Sequence, residues 1–322
     1  MNSNGRSLAI LHSPDDWIAQ FGAERSGTSL TIGNFDGVHL GHQKILSAVV
    51  EKARAENLKS AVITFDPHPS RVLKPDAAPS MLETIEQRCR RFAEMQIDAV
   101  LILKFDKALA EVTAGDFIQR YIVDTLRARE LFVGANFRFG CKKAGDVALL
   151  QARGADENFC VNVVEPRMLD GAVVSSSAIR MALREGRVAD AAKMLGRPFA
   201  LAGEIVSGTG TGRKLIVPTL NLQTPQETLP KGGVYVTEST VAGAAYGSVT
   251  NIGVRPTFDG QKLAIESYLF GFDEFLTSGP LEVKFLKRLR DEQKFAGVDA
   301  LKAQVLADIE RAKALYASAQ SG

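Results

Sequence analysis

Between Ser29 and about Ala192, short apolar runs alternate with segments of helical period, and this alternation leaves few folds open to the chain. The runs SLTIGNF (29–35), SAVITF (60–65), AVLILKF (99–105), ELFVG (130–134) and FCVNVVE (159–165) are rich in Val, Ile, Leu and Phe and short enough for buried strands. Amphipathic stretches lie between them. Ile45, Leu46, Val49, Val50 and Ala53 share one face of Gly41–Glu56; Ile85, Cys89 and Phe92 share one of Thr84–Met95; Phe117, Ile118, Tyr121, Ile122 and Leu126 share one of Ala114–Arg127. Strand and helix repeated in this way predict a Rossmann-like α/β domain, a parallel sheet with right-handed crossovers. Such sheets hold ligands beyond the carboxyl ends of their strands.

After MLGRPFALAG (194–203) the pattern changes. LAGEIV, GVYVTES, AYGSVTNIGV, LAIESYLF and LEVKFLKRL are strand-like and separated by Gly, Pro and Asn turns, with no long helical pattern until Val298–Tyr316. This predicts an antiparallel sheet or β-barrel closed by one terminal helix. With 322 residues two domains are expected, and the boundary falls near Gly196: residues 1–195 and 196–322. A net charge of +2 gives no basic stripe for nucleic acid. Cys89, Cys141 and Cys160 have no CxxC spacing, which argues against a disulfide framework or a zinc site and fits a reducing compartment. MNSNGRSLAI lacks the apolar core of a signal peptide, and no run is long enough to span a membrane. The expectation is a cytoplasmic protein with small-molecule partners, no nucleic-acid or membrane partner, and a monomeric or weakly oligomeric state.

TIGNFDGVHLGHQ (31–43) collects two of the four histidines at the turn from the first of these strands into the first helix. Gly37 and Gly41 allow a sharp turn and a close backbone approach, and the helix start offers free N–H groups to an anion. His39 and His42 can both point at the same phosphates and supply hydrogen bonds as a phosphoryl-chain leaving group departs. A glycine-rich turn that merely contains histidine is the alternative. HxGH after a strand resembles the HIGH-type nucleotidyltransferases, which transfer an adenylyl group from ATP. TFDPHP (64–69), VGANFRFG (133–140) and VSSSAIR (174–180) follow in the order and spacing of the FMN adenylyltransferase half of the bacterial bifunctional riboflavin kinase/FMN adenylyltransferases. By that resemblance Gly33, Phe35, Asp36, Gly37, His39, Gly41 and His42, with Ser176, Ser177 and Arg180, bind ATP and its phosphates. Phe65, Pro67, His68, Asn136, Phe137 and Arg138 bind the flavin.

The residues support these assignments in different degrees. SSSAIR reads as a capped helix N-terminus with Arg180 one turn in. The family usually has Thr and Arg where this chain has Ser177 and Ala178, so one positive charge is missing and Arg180 must serve alone. DPHP reads as a rigid loop, because each proline restricts the residue before it. Phe137 and Phe139 suit a planar flavin or the protein core equally well.

SGTGTGRKLIVPTLN (207–221) places Gly208, Gly210 and Gly212 between small hydroxyls, a loop able to wrap phosphates or simply to turn a hairpin. It lacks the Walker A spacing. Thr219 and Asn221, alternate residues of a short strand, offer two oxygens to Mg²⁺. In AIESYLF, Glu266 shares a face with Tyr268 and Phe270, a setting suited to a general base. These stretches and NIGVRPTF (251–258) resemble the riboflavin kinase module. The resemblance implies a six-stranded barrel, ATP held by the glycine loop, Mg²⁺ on Thr219 and Asn221, Glu266 as base toward the ribityl 5′-hydroxyl, and Arg255 beside the flavin. Leu220 replaces the usual Ala, and RKLIVPT departs from the usual glycine-containing stretch, which bears on loop motion and ATP affinity. The chain is expected to phosphorylate riboflavin to FMN and then adenylate FMN to FAD. The rivals are a chain with only the adenylyltransferase active, a flavin or nucleotide sensor, and an adenylyltransferase for another acceptor.

Overall fold

The structure, a computed structural model, describes residues 7–22, 26–207, 217–257, 260–274 and 276–320, with the backbone alone for 254–257, 260–263, 319 and 320. The chain divides into two compact units, Met1–Ser175 and Ser176–Gly322.

In the first unit the strands are β1 (Ala9–Leu11), β2 (Thr28–Ile32), β3 (Lys59–Asp66), β4 (Ala99–Lys104), β5 (Ala128–Gly134) and β6 (Cys160–Val164). They form one sheet in the order β1-β4-β3-β2-β5-β6, and every pairing is parallel. The chain grows from β2 through β3 to β4 on one side, then crosses back to place β5 and β6 on the other. The connecting helices are α1 (Pro14–Phe21), α2 (Leu40–Ala55), α3 (Pro69–Leu73), α4 (Ile85–Glu94), α5 (Lys107–Glu111), α6 (Ala114–Phe117) and α7 (Val147–Glu157). Leu46, Val49 and Val50 of α2 and Cys89 and Phe92 of α4 fill one layer with Val62 and Val100, as their spacing predicts.

Two features depart from the sequence reading. Strand β1 lies outside the predicted set and adds an edge beside β4. The helix expected over Ala114–Arg127 widens into a π-helix at Ile118–Thr125. There Leu126 N–H donates to the Tyr121 carbonyl at 3.1 Å, and Thr125 Oγ1 donates to the Arg120 carbonyl at 2.6 Å, taking up an acceptor that the wider turn displaces. All five predicted core positions of this stretch are buried. A short hairpin, β7 (Met168–Leu169) with β8 (Ala172–Val173), closes the unit and turns on Asp170 and Gly171 at positive φ.

The second unit begins with α8 (Ser176–Arg184) and α9 (Val188–Leu195). Its strands are β9 (Phe199–Val206), β10 (Leu220–Gln223), β11 (Gly233–Val241), β12 (Ala244–Thr257), β13 (Gly260–Leu269) and β14 (Pro280–Arg290), and helix α10 (Val298–Gln320) follows. The six strands close an antiparallel barrel in the order β10-β13-β12-β11-β14-β9. The contact division precedes α8, earlier than the sequence boundary at 195/196, because the two helices are fastened to the barrel. Lys231 N–H donates to the Leu183 carbonyl at 2.9 Å. Arg288 crosses over Gly186, where a Cβ would stand 2.6 Å from its Cδ, and bonds to the Gly232 carbonyl, the Tyr235 hydroxyl and Asp291.

Strand alternation gives the barrel two unlike faces. Inside, the hydroxyls of Ser239, Ser248, Thr237, Thr250 and Ser267 form one chain with links of 2.7–2.8 Å, so each buried hydroxyl is satisfied. Outside, Val234, Val236 and Val249 are covered by Ile309 and Ala312 of α10. Arg290 Nε and Nη2 donate to Asp308 of α10 at 2.9 and 2.7 Å, and Tyr316 donates to Glu238. Asp308→Ala would leave a half-buried guanidinium unpaired and is expected to lower the stability of this unit by about 2 kcal/mol in urea unfolding. An unchanged midpoint would show that the pair does not hold the helix.

Candidate active site

The loop from β2 to α2 is nearly all buried, and its backbone is held in uncommon conformations. Phe35, Gly37 and Val38 have φ of 50°, 82° and 35°. For Phe and the β-branched Val this region is costly and requires surrounding structure to impose it. Asp36 is buried beneath the loop. Its carboxylate accepts from Leu82 N–H at 3.0 and 3.2 Å and from Glu83 N–H at 3.3 Å. What Asp36 gives a phosphate site is therefore the shape of the loop, since its charge is already engaged by the main chain.

His39 caps α2: its Nδ1 accepts from His42 N–H at 3.3 Å, which puts the neutral ring's proton on Nε2. The two imidazoles stack with centroids 3.7 Å apart and planes 17° apart, and Phe35 meets His42 edge-on at 5.1 Å. Gly41 makes room for this stack, because a Cβ there would lie 3.1 Å from His39 Cε1. Gly33 lies against the Phe35 ring in the same way, at 3.1 Å. The Nδ1 of His42 is buried without a partner among the described residues. Burial first, and then the neighbouring His39, hold the His42 imidazole well below its ordinary value of 6.5.

Two neighbouring strands add their loops. At the end of β3, Pro67 and His68 follow the half-buried Phe65. His68 caps α3 through Nδ1, which accepts from Ser70 N–H, and its Nε2 lies 3.0 Å from the side-chain amide of Asn34. That link ties the β3 loop to the β2 loop through Asn34, a residue that no spacing or motif singles out. After β5, Asn136 and Arg138 are exposed, and Phe137 is half-buried and stacks on Phe139 at 5.5 Å. Phe139 belongs to the core, bonded through its main chain to Gly145, so the choice left open for the two rings resolves to core for Phe139. Arg138 pairs with Asp146 at 2.9 Å, with both side chains exposed. The structure thus brings the loops after β3, β2 and β5 to one end of the sheet, at the reversal of strand order. Ser176, Ser177 and Arg180 open α8 in the second unit, Ser177 exposed and Arg180 buried.

In the barrel, the register sets Glu266 opposite Asn221 on β10 and opposite Asn251 on β12. All three side chains are half-buried, while Leu220, Leu222, Ile265 and Ser267 beside them are buried. They form a row across three adjacent strands on one face. Glu266 shares that face with Tyr268 and Phe270, as alternation predicts, and Tyr316 of α10 meets Phe270 at 6.3 Å. Thr219 directly precedes β10, and the bulkier Leu220 packs inward. Asn251 had no assigned role in the sequence, although its parity with Val249 was enough to place it on this face. Gly208, Gly210 and Gly212 lie outside the described residues, as does the side chain of Arg255.

His42 also carries a test of the first site's packing. The unfolded chain takes up a proton near pH 6.5 that the folded chain refuses, so stability is complete above that pH and falls as pH drops below it. The thermal midpoint is expected to fall more steeply between pH 7 and 5.5 in the wild type than in His42→Asn. Equal slopes would contradict the burial of an unpaired imidazole.

Residues 22–178 match a family model for FAD synthetase, and residues 195–316 match one for riboflavin kinase. A protein of Pseudomonas fluorescens named bifunctional riboflavin kinase/FMN adenylyltransferase is 39% identical over 295 residues, covering 91% of this chain and 94% of its own. One of the same name from Escherichia coli K12 is 38% identical over 287 residues, covering 89% and 92%. A crystal structure described as a macrolide-efflux protein from Streptococcus pneumoniae has a TM-score of 0.85 at 29% identity and covers 95% of this chain and 98% of that one. Among the described residues no helix is long and apolar enough to cross a membrane. Both halves of the fold and nine-tenths of the sequence agree with the enzyme relatives, and the chain belongs to the family of bifunctional riboflavin kinase/FMN adenylyltransferases.

Proposed function

We propose that the two reactions of this enzyme are divided between its units, with the residue roles given below. The chain phosphorylates riboflavin with ATP to give FMN and adenylates FMN with a second ATP to give FAD and pyrophosphate. The observation that carries the residue assignment is the stacked histidine pair at the start of α2, His39 buried and His42 half-buried, at the reversal of the sheet.

In the kinase step Glu266 takes the proton of the ribityl 5′-hydroxyl, whose oxygen attacks the γ-phosphorus of ATP as the bond to the β-phosphate oxygen breaks. Asn221 and Asn251 flank that carboxylate and orient it. Mg²⁺, when bound with ATP, would neutralise charge on the phosphates. The hydroxyl and amide oxygens of Thr219 and Asn221 are hard, uncharged donors that suit an ion retaining several waters. Gly208, Gly210 and Gly212 are assigned to the ATP phosphates, and Arg255 to the flavin, on the resemblance alone.

In the adenylation step a phosphate oxygen of FMN attacks the α-phosphorus of ATP, and pyrophosphate leaves. No protein nucleophile is needed, and the enzyme contributes position and charge stabilisation. His39 and His42 donate to the departing phosphates, on the loop shaped by Gly33, Phe35, Asp36, Gly37 and Gly41. Ser176, Ser177 and Arg180 are assigned to phosphate. Phe65, Pro67, His68, Asn136, Phe137 and Arg138 are assigned to the flavin, with Phe137 as the ring contact and Asn136 as the polar one. Three free thiols and two ATP-consuming steps fit a cytoplasmic enzyme. We assign no partner subunit to either step.

Incubation with riboflavin, ATP and Mg²⁺, followed by chromatography, is expected to yield FAD. His42→Ala should accumulate FMN with adenylation reduced by about 100-fold or more, and Glu266→Gln should leave riboflavin unconverted yet still turn FMN into FAD. Wild-type behaviour of either variant removes the role assigned to that residue.

A further inference from the structure

Arg88, in the first turn of α4, is 3% exposed and forms no ion pair among the described residues. Its Nη1 donates to the main-chain carbonyl of Asn34 at 2.7 Å and to Thr64 Oγ1 at 3.3 Å, and Thr64 Oγ1 donates to the same carbonyl at 3.4 Å. Its Nε is buried without a partner. Asp36, Asp66 and Glu83 act on the guanidinium only at a distance, and the Asp36 carboxylate is taken by the N–H groups of Leu82 and Glu83. A buried cation held this way is costly, and an apolar side chain of similar volume would pack more cheaply if packing were its task.

The carbonyl of Asn34 and the N–H of Phe35 belong to one trans peptide and point in opposite directions. Two buried donors on the carbonyl therefore turn the Phe35 N–H away from the interior of the unit. No described group accepts from that N–H. The orientation is the strained one. Rotating the 34–35 peptide by half a turn, the change that separates a type I from a type II turn, would bring Phe35 out of its φ of 50° and into the extended region. It would also aim the Asn34 carbonyl oxygen where the N–H now points, presenting a partial negative charge to any anion there. The grip of Arg88 and Thr64 opposes that relaxation.

We propose that Arg88 is a positioning residue for adenylyl transfer: it locks the 34–35 peptide so that the Phe35 N–H donates to a phosphate oxygen of the nucleotide, and it adds a buried positive charge to that end of the sheet. The proposal rests on the assignment of adenylyl transfer to the β2–α2 loop. Asn34 and Thr64 sit at the ends of the adjacent strands β2 and β3, so one guanidinium fixes both exits at once.

Adenylation of supplied FMN is compared in wild type, Arg88→Met, Arg88→Lys and His42→Ala, with phosphorylation of riboflavin measured in the same preparations. Arg88→Met is expected to lower kcat for adenylation tenfold or more while KM for FMN stays within about threefold. Riboflavin phosphorylation should not change, and Arg88→Lys, which keeps the charge and a donor, should recover most of the loss. A packing role would not separate Lys from Met in kcat. In the wild type labelled with ¹⁵N-phenylalanine, pyrophosphate should shift the Phe35 amide and slow its exchange; this decides the matter if Arg88→Met does not fold. Adenylation surviving in His42→Ala would overturn the assignment of the loop itself. With His42→Ala inactive, Arg88→Met at wild-type kcat, or a Phe35 amide indifferent to pyrophosphate, overturns the role of Arg88 alone.

Discussion

Beside β2 the parallel sheet changes its direction of growth, with β3 and β4 on one side and β5 and β6 on the other, and the loops leaving β2 and β5 must diverge. The chain has only residues 33–39 in which to leave β2 and enter α2. Everything at this end of the first unit follows from making that short connection. Gly37 takes a left-handed turn, Phe35 and Val38 are forced into one, Asp36 plugs the underside, and His39 turns back to cap the helix it begins. The capping bond sets the tautomer of His39 and brings its ring over His42. The geometry that starts the helix is the same geometry that prepares the histidine pair.

The barrel solves a different problem. Its interior is apolar around Leu201, Ile252, Val283 and Phe285, and the hydroxyls buried beside them satisfy one another through the chain from Ser239 to Ser267. The reverse face of the same strands is part apolar, covered by α10, and part polar, carrying Asn221, Glu266 and Asn251. Because side chains alternate strictly, a slip of one residue in β13 would bury Glu266 and expose Ser267. Closing the barrel and placing its carboxylate are thus one requirement of register.

Much of this was legible in the sequence, for identifiable reasons. The parallel sheet could be read because its strands are continuous apolar runs and α2 and α4 carry clean stripes. The barrel could be read from alternation and turn residues. Strand β1 could not, since three residues with an exposed Ile10 at a sheet edge carry no period. The contact boundary at 175/176 was hidden because α8 and α9 look like any other helices of the first unit; what fastens them to the barrel is Arg288 over Gly186, a contact between distant parts of the chain. Asp36 and Arg88 were hidden for a related reason. A buried charge is defined by its surroundings, and the N–H groups of Leu82 and Glu83 or the carbonyl of Asn34 cannot be assigned to it from spacing. Phe137 and Phe139 both pack at the core, Phe139 buried within it and Phe137 stacked on it and half-buried at its edge, a difference of depth that spacing does not encode.

One chain joins two phosphorus-transfer reactions, the first taking the terminal phosphoryl group of ATP and the second its adenylyl group. Isotope transfer tests this directly. With riboflavin as sole flavin and Mg²⁺ present, ATP labelled at the γ-phosphorus and ATP labelled at the α-phosphorus are supplied in parallel, and the FAD formed is isolated. Each FAD is expected to carry one γ-derived and one α-derived phosphorus. FAD carrying α label without γ label, or no labelled FAD from either, would contradict it.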